Sequence, residues 1–222
     1  MLWRMLIGGG VFLSVAWAAG TTVVVEDWAT HEVGRTGVPA GWETYKTPFS
    51  TPAYDLALVE DARLGKVLHL RSKHEHSNIL KPIDVDLKVT PILEWTWKAA
   101  TLPEGGDIRQ KSTSDLALHI YVAWRGTFST ELLGYAWDAA APAGLDVPSQ
   151  KSGSIRYVVL RSGNAEANTW KTEARDVVED YKRVFKSKSD PGKPSAIVVS
   201  IDTNDTKSTA ESFVGRIVFR SP

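Results

Sequence analysis

Cysteine is absent from the sequence. Its absence excludes disulfide staples, a thiolate nucleophile, a cysteine-ligated zinc site and a lipid-bearing cysteine at an export cleavage site. Net charge is absent too, since 26 Lys and Arg balance 26 Asp and Glu. An even, interspersed balance leaves no electrostatic footprint for nucleic acid or an anionic membrane surface. Long apolar runs are missing: the longest, Met5 to Val15, falls short of the ~20 residues of a spanning helix. There is no Gly-x-Ser-x-Gly elbow for a serine nucleophile, no internal repeat and no alternation of strands with helices.

What the chain does have begins with an export signal. Met1 to Arg4 is a short basic segment, Met5 to Val15 is apolar, and Ala16-Trp17-Ala18 fits a small-x-small cleavage pattern. The expectation is a signal peptide over residues 1–18, one domain over 19–222, and a soluble, monomeric product in the periplasm or outside the cell. Without staples, such a domain depends on its core, for which the remaining length suffices.

The clearest pattern lies at the centre. In Leu93-Glu94-Trp95-Thr96-Trp97-Lys98 the tryptophans alternate with polar residues, and in Leu118 to Trp124 the apolar Leu118, Ile120, Val122 and Trp124 alternate with His119, Tyr121 and Ala123. Both are strands by their period of two. The His119–Tyr121 face is polar and aromatic rather than charged, as a wet sheet surface or a binding face would be. Further strands are expected at Thr21–Glu26, Leu56–Glu60 and Lys66–Arg71 (a hairpin across Asp61–Gly65), Ile83–Leu87, Leu132–Trp137, Ile155–Leu160, Ala196–Ile201 and Phe213–Phe219, with a polar gap over Ser72–Asn78. One amphipathic helix is expected from Glu173 to Lys186, capped by Thr172. About ten short strands with a single helix predict a mainly β fold, an antiparallel, jelly-roll-like β-sandwich.

Several motifs occur in a fixed order: Val38-Pro39-Ala40-Gly41-Trp42-Glu43, Val67-Leu68, Leu93 to Lys98, Leu133-Gly134-Tyr135-Ala136-Trp137, Val158-Val159-Leu160-Arg161-Ser162-Gly163, Trp170 with Arg175-Asp176-Val177, Asp180-Tyr181, and Asp202-Thr203-Asn204-Asp205-Thr206. Together they resemble the bacterial domain-of-unknown-function 3047 family, from about Val25 to Phe219. The resemblance implies export and a jelly-roll architecture similar in general look to carbohydrate-binding modules, and it implies no activity. The chain departs from the family pattern at Ser114-Asp115, where a paired Asp-Asp is usual, and at His119, where an Arg is expected.

Candidate chemistry is sparse. His69, His74 and His76 with Glu75 would suit zinc if one strand ran through them, and a solvated turn otherwise. Asp202, Asn204 and Asp205 put oxygen ligands on a tight loop that a structural Ca²⁺ would accept, unless those groups cap their own backbone. No other cofactor is expected. Carboxylate pairs for a glycosidase are available in Glu94 with Asp107 or Asp115, and in Asp84 with Asp86, but no spacing forces the required geometry, so no catalytic residue is assigned. Trp95, Trp97 and Trp124 read as core. Trp42, Trp137 and Trp170 sit in or near loops, where a ring can stack on a sugar. The expected site is a polar-aromatic patch of Lys98, Asp115, His119, Tyr121, Trp137 and Arg161 that binds a glycan or small polar ligand without catalysis. The alternatives are a polysaccharide hydrolase or lyase, and a structural or partner-binding envelope protein with a flat polar face.

Overall fold

The structure is a computed structural model that describes residues 20–45, 53–127 and 129–222; the expected signal peptide lies outside the described residues. In chain order the strands are β1 (Thr22–Glu26), β2 (Glu43–Thr44), β3 (Asp55–Asp61), β4 (Gly65–Lys73), β5 (His76–Pro82), β6 (Ile92–Thr101), β7 (Leu118–Arg125), β8 (Thr130–Asp138), β9 (Asp146–Pro148), β10 (Ile155–Ser162), β11 (Lys171–Asp176), β12 (Ala196–Asp202) and β13 (Thr209–Arg220). One α-helix among the described residues, α1 (Val177–Phe185), lies between β11 and β12. No described helix is long and apolar enough to cross a membrane.

The strands form two sheets, as the patterning predicts. Sheet one runs β11-β6-β13-β4-β3, with β1 also on β13; sheet two runs β2-β5-β12-β7-β8-β10-β9. The expected β3–β4 hairpin is present, its turn held by Asp61 Oδ1 accepting from the Arg63 and Leu64 amides. All pairings are antiparallel except β8–β10, which run parallel because β9 intervenes and returns the chain in the same sense. The arrangement is therefore a sandwich with one mixed sheet.

The core lies between the sheets. From β6, Leu93, Trp95, Trp97 and Ala99 point inward while Glu94, Thr96 and Lys98 stay on the outer face. From sheet two, Ile120, Val122, Tyr135, Trp137, Ile197 and Val199 meet them. Trp95 meets Trp97 edge-on at 5.4 Å and Tyr135 at 5.0 Å, geometries that add ~0.5–1.5 kcal/mol each beyond area burial. Trp28 and Trp42 stack at 5.6 Å, and Trp42 Nε1 donates to Glu26 at the rim of the same core.

Three local readings need correction. Ile83–Leu87 is not a strand: pairing ends at Pro82, and Val85 and Leu87 drop into the core from a loop whose turn Asp86 holds by accepting the Lys88 amide. The strand instead starts earlier, at His76, after His74 turns the corner with a left-handed φ of 59°. The helix begins at Val177 rather than Glu173, capped by Asp176, whose Oδ1 accepts from the Val178 and Glu179 amides. Residues Lys171–Asp176 become β11 because the edge of β6 offers them a complete ladder, which outweighs a weak local helix preference.

Candidate functional site

The outer face of sheet two is largely buried. Its period-2 set, Tyr121, Ala123, Leu132, Ala136, Tyr157, Val159 and Val198, packs into a second apolar cluster separate from the inter-sheet core. This is why β7 is buried on both faces. Over that cluster lies a cleft of about 960 Å³, lined by groups from β5, β7, β8, β10, β12 and the loops beside them. Its floor carries His119, Tyr121 and Tyr157. His119 meets Tyr121 edge-on at 4.8 Å, and the two tyrosine hydroxyls are 2.8 Å apart.

The polar side of the floor follows from the ladder. Ser200 on β12 is opposite His119 on β7 and Asn78 on β5, and Asp202 is opposite His76. Antiparallel neighbours at these positions share a face. Here His119 Nδ1, His76 Nε2, Ser200 Oγ and Asn204 Oδ1 are buried and have no hydrogen-bond partner among the described residues. His119 is 5% exposed and Ser200 is fully buried. Buried polar groups are normally paired, and an unpaired one costs about 1–3 kcal/mol. His76, His119 and Asn204 line the cleft, and Ser200 is the ladder partner of His119, so the unpaired atoms are a feature of the site.

Burial also sets the charge states. It depresses the His119 imidazole to about 3, with His76 and Lys151 adding to the effect, and lowers His76 likewise. Burial, and next the Asp115 carboxylate, raise Asp202 to about 7. Burial lifts Tyr157 to about 12 and Tyr121 well above the usual phenol value. At neutral pH His119, Tyr121 and Tyr157 are uncharged, while Asp202 is near its titration midpoint.

Asp202 and His119 act oppositely on stability. The folded state keeps an Asp202 proton that the unfolded chain, with its ordinary value of 3.8, releases; this contribution is complete below 3.8 and lost as pH rises through about 7. His119, depressed from 6.5 to about 3, contributes above 6.5 and loses its contribution as pH falls through about 3. The expected result is that the melting temperature of the wild type minus that of Asp202→Asn falls steadily from pH 4 to pH 7. Thermal unfolding across that range checks it, and a constant difference would refute a raised Asp202.

Of the expected site residues, the structure gathers His119, Tyr121, Asp202 and Asn204 in the cleft. Asp115 lies behind it, fully buried, accepting from the Asp205 and Thr206 amides and from Thr206 Oγ1. It holds the loop rather than facing a ligand. Asp205 is at the rim, bonded to Ser114 Oγ and ion-paired with Lys151. The remaining three are elsewhere. Lys98 is on the outer face of sheet one, over the Phe213 ring at 4.2 Å and the Trp170 ring at 4.9 Å, because β6 and β7 belong to different sheets. Trp137 is fully buried against Trp97, its Nε1 donating to the Gly163 carbonyl. Arg161 is tied to Glu173 and Glu166 beside a separate hollow of about 450 Å³.

No group of three or more His, Cys, Asp or Glu among the described residues is placed to hold a metal ion. The Asp202, Asn204 and Asp205 loop is instead organised by hydrogen bonds, with the Asn204 amide donating to Asp202. The histidine cluster also disperses, since His69 stacks on Phe213 on sheet one, His74 is in a turn and His76 is on sheet two. Of the lining residues His76, Asn78, Lys151 and Tyr157, the sequence reading weighed His76 only as a zinc ligand and missed the other three as members of one site with it. A period-2 reading of His76, Asn78, Leu80 and of Ile155, Tyr157, Val159 would have found three of them.

No curated protein matches the chain. Similar solved structures include the family 11 carbohydrate-binding module of a cellulosomal cellulase of Clostridium thermocellum, at 9% identity and TM-score 0.47, over 92% of this chain and 97% of that one. A xyloglucanase domain of a type three effector from Sinorhizobium fredii aligns at 7% identity and TM-score 0.47, over 87% and 100%. A family 29 carbohydrate-binding module aligns at 8% identity and TM-score 0.37, over 91% and 90%. Likeness at this level says nothing about a ligand. A family profile described as "Protein of unknown function (DUF3047)" matches residues 40–218, most of the chain, and the protein belongs to that family.

Proposed function

We propose that this is an exported protein that binds a glycan or another small polar ligand in the cleft of sheet two, without cleaving it. The observation that carries the reading is the convergence of unpartnered, buried polar atoms of His76, His119 and Asn204 on a tyrosine-floored cleft. Aromatic faces beside a few fixed polar groups suit a ligand with apolar C–H faces and equatorial hydroxyls. A purely structural envelope role would leave those atoms without a purpose.

A hydrolase or lyase is the second reading, favoured by the raised Asp202, which could exchange a proton near neutrality. A glycosidase needs two carboxyl groups about 5–10 Å apart across the substrate. Asp202 is the one carboxyl in the cleft lining among the described residues, with Asp115 sealed behind the loop and Asp205 paired to Lys151. This supports binding over cleavage.

His119→Ala is expected to weaken glycan binding at least tenfold, about 1.4 kcal/mol, whereas Lys98→Ala and Arg161→Ala leave it unchanged. Glycan-array binding followed by calorimetry on the hits checks this. Tryptophan emission is a poor readout, because no Trp is among the described residues that line the cleft. Equal losses in all three variants would remove the site from this face, and release of new reducing ends or unsaturated products from a bound glycan would establish the enzyme.

A further inference from the structure

The charged groups around the cleft carry one more step. Among its described lining residues, Lys151 is the only Lys or Arg, and its ammonium is ion-paired with Asp205, whose carboxylate also accepts from Ser114 Oγ at 3.1 Å. Directly behind this loop sits Asp115, fully buried, and inside the cleft is Asp202. An acidic ligand would thus meet the Asp202 carboxyl inside the cleft, the Asp205 carboxylate at its edge, and one ammonium that is already engaged. To use Lys151 it would have to displace Asp205 and leave that carboxylate unpaired, with no net gain of charge pairing. The rest of the rim consists of neutral hydroxyl and amide groups, including Ser129, Thr130, Ser149, Gln150, Ser152 and Ser154. Such groups exchange hydrogen bonds with hydroxyls and offer no compensation for a buried anion.

We infer that the cleft selects uncharged polyhydroxyl chains over acidic ones, and that Asp205 sets this preference by holding the Lys151 ammonium. This rests on the binding reading above. Lys151 and Asp205 are specificity determinants here, acting on which ligand is admitted.

The test is a panel of immobilised neutral polysaccharides (cellulose fragments, xyloglucan, mannan) and acidic ones (polygalacturonate, alginate, sulfated galactan), probed with the wild-type chain, Asp205→Asn and Lys151→Met. The wild type is expected to bind among the neutral members only. Asp205→Asn removes one negative charge with little change of shape and frees the ammonium; it is expected to gain at least tenfold in affinity for an acidic member while retaining the neutral hits. That gain should vanish at about 1 M salt, where the screening length is about 3 Å. Lys151→Met should gain nothing for the acidic members, which separates release of the cation from loosening of the loop; melting curves confirm that both variants fold. Wild-type binding to acidic members as tight as to neutral ones would overturn the inference and leave the binding reading standing. Neutral hits without any acidic gain in Asp205→Asn would overturn the role of Asp205. No binding to any member would overturn the binding reading itself and this inference with it.

Discussion

Replacing Gly134 by valine is expected to abolish ligand capture and lower the melting temperature by about 4–8 °C. Gly134 on β8 is paired with Tyr121 on β7 and Tyr157 on β10, between the two rings that floor the cleft. A Cβ at this position would lie 2.6 Å from Tyr157 Cδ1 and 2.9 Å from Tyr121 Cε1, closer than nonbonded carbons approach. Neither ring has room to retreat, because both are buried in the outer apolar cluster. They must move into the cleft and separate, which breaks the 2.8 Å bond between their hydroxyls. Overpacking of this kind costs ~1–3 kcal/mol, and about 2 kcal/mol corresponds to the stated shift for a chain of this size. Gly134→Ala should show the same effects at smaller amplitude. Thermal unfolding and the glycan array together check the prediction, and a valine variant with unaltered melting and binding would show that the tyrosine pair does not form the floor.

Removing the Asp115 side chain is expected to cost about 3 kcal/mol and to unseat the Asp202–Thr206 loop. Three donors converge on this carboxylate, the Asp205 amide at 3.1 Å, the Thr206 amide at 2.6 Å and Thr206 Oγ1 at 2.6 Å. The carboxylate is fully buried and its donors are half-buried, so Asp115→Ala leaves them without their partner, and stranded donors of a charge-assisted cluster cost ~1–3 kcal/mol each before relaxation. Asp115→Asn keeps part of the network and removes the charge next to Asp202. In that variant the Asp202 titration midpoint is expected to fall, though not to the ordinary value, because burial is the larger cause of its elevation. Denaturant unfolding measures the first effect and carboxyl-carbon NMR titration the second. An Asp115→Ala chain as stable as the wild type would mean that the loop holds itself.

The site was partly legible from sequence. His119 and Tyr121 could be placed on a polar-aromatic strand face from their alternation with Leu118, Ile120 and Val122, and that face is indeed the cleft floor. Lys98 was grouped with them because Trp97 and Ile120 belong to successive patterned strands, and successive strands commonly pair. Here residues 102–117 carry the chain across to the other sheet, so β6 pairs with β11 and β13 while β7 pairs with β8 and β12. Asp115 was placed with the ligand-binding residues; in the structure its carboxylate holds a loop ninety residues further along the chain, which no local pattern encodes.

The sequence by itself determined the periodicity: which residues form strands at β3, β4, β6, β7, β8, β10, β12 and β13, which side chains alternate on each, and that a cysteine-free chain must be held by an aromatic core. Those features follow from backbone geometry and burial acting within a few residues. Only the tertiary structure decided which strands share a sheet, that Lys171–Asp176 completes the edge of β6 instead of opening the helix, that Trp137 faces Trp97, and that β5, β7, β10 and β12 bring His76, His119, Tyr157 and Asp202 to one cleft. The physical reason is that strand pairing and the occlusion of a face depend on contacts between residues far apart in sequence, and a period of two is the same whichever neighbour a strand finds.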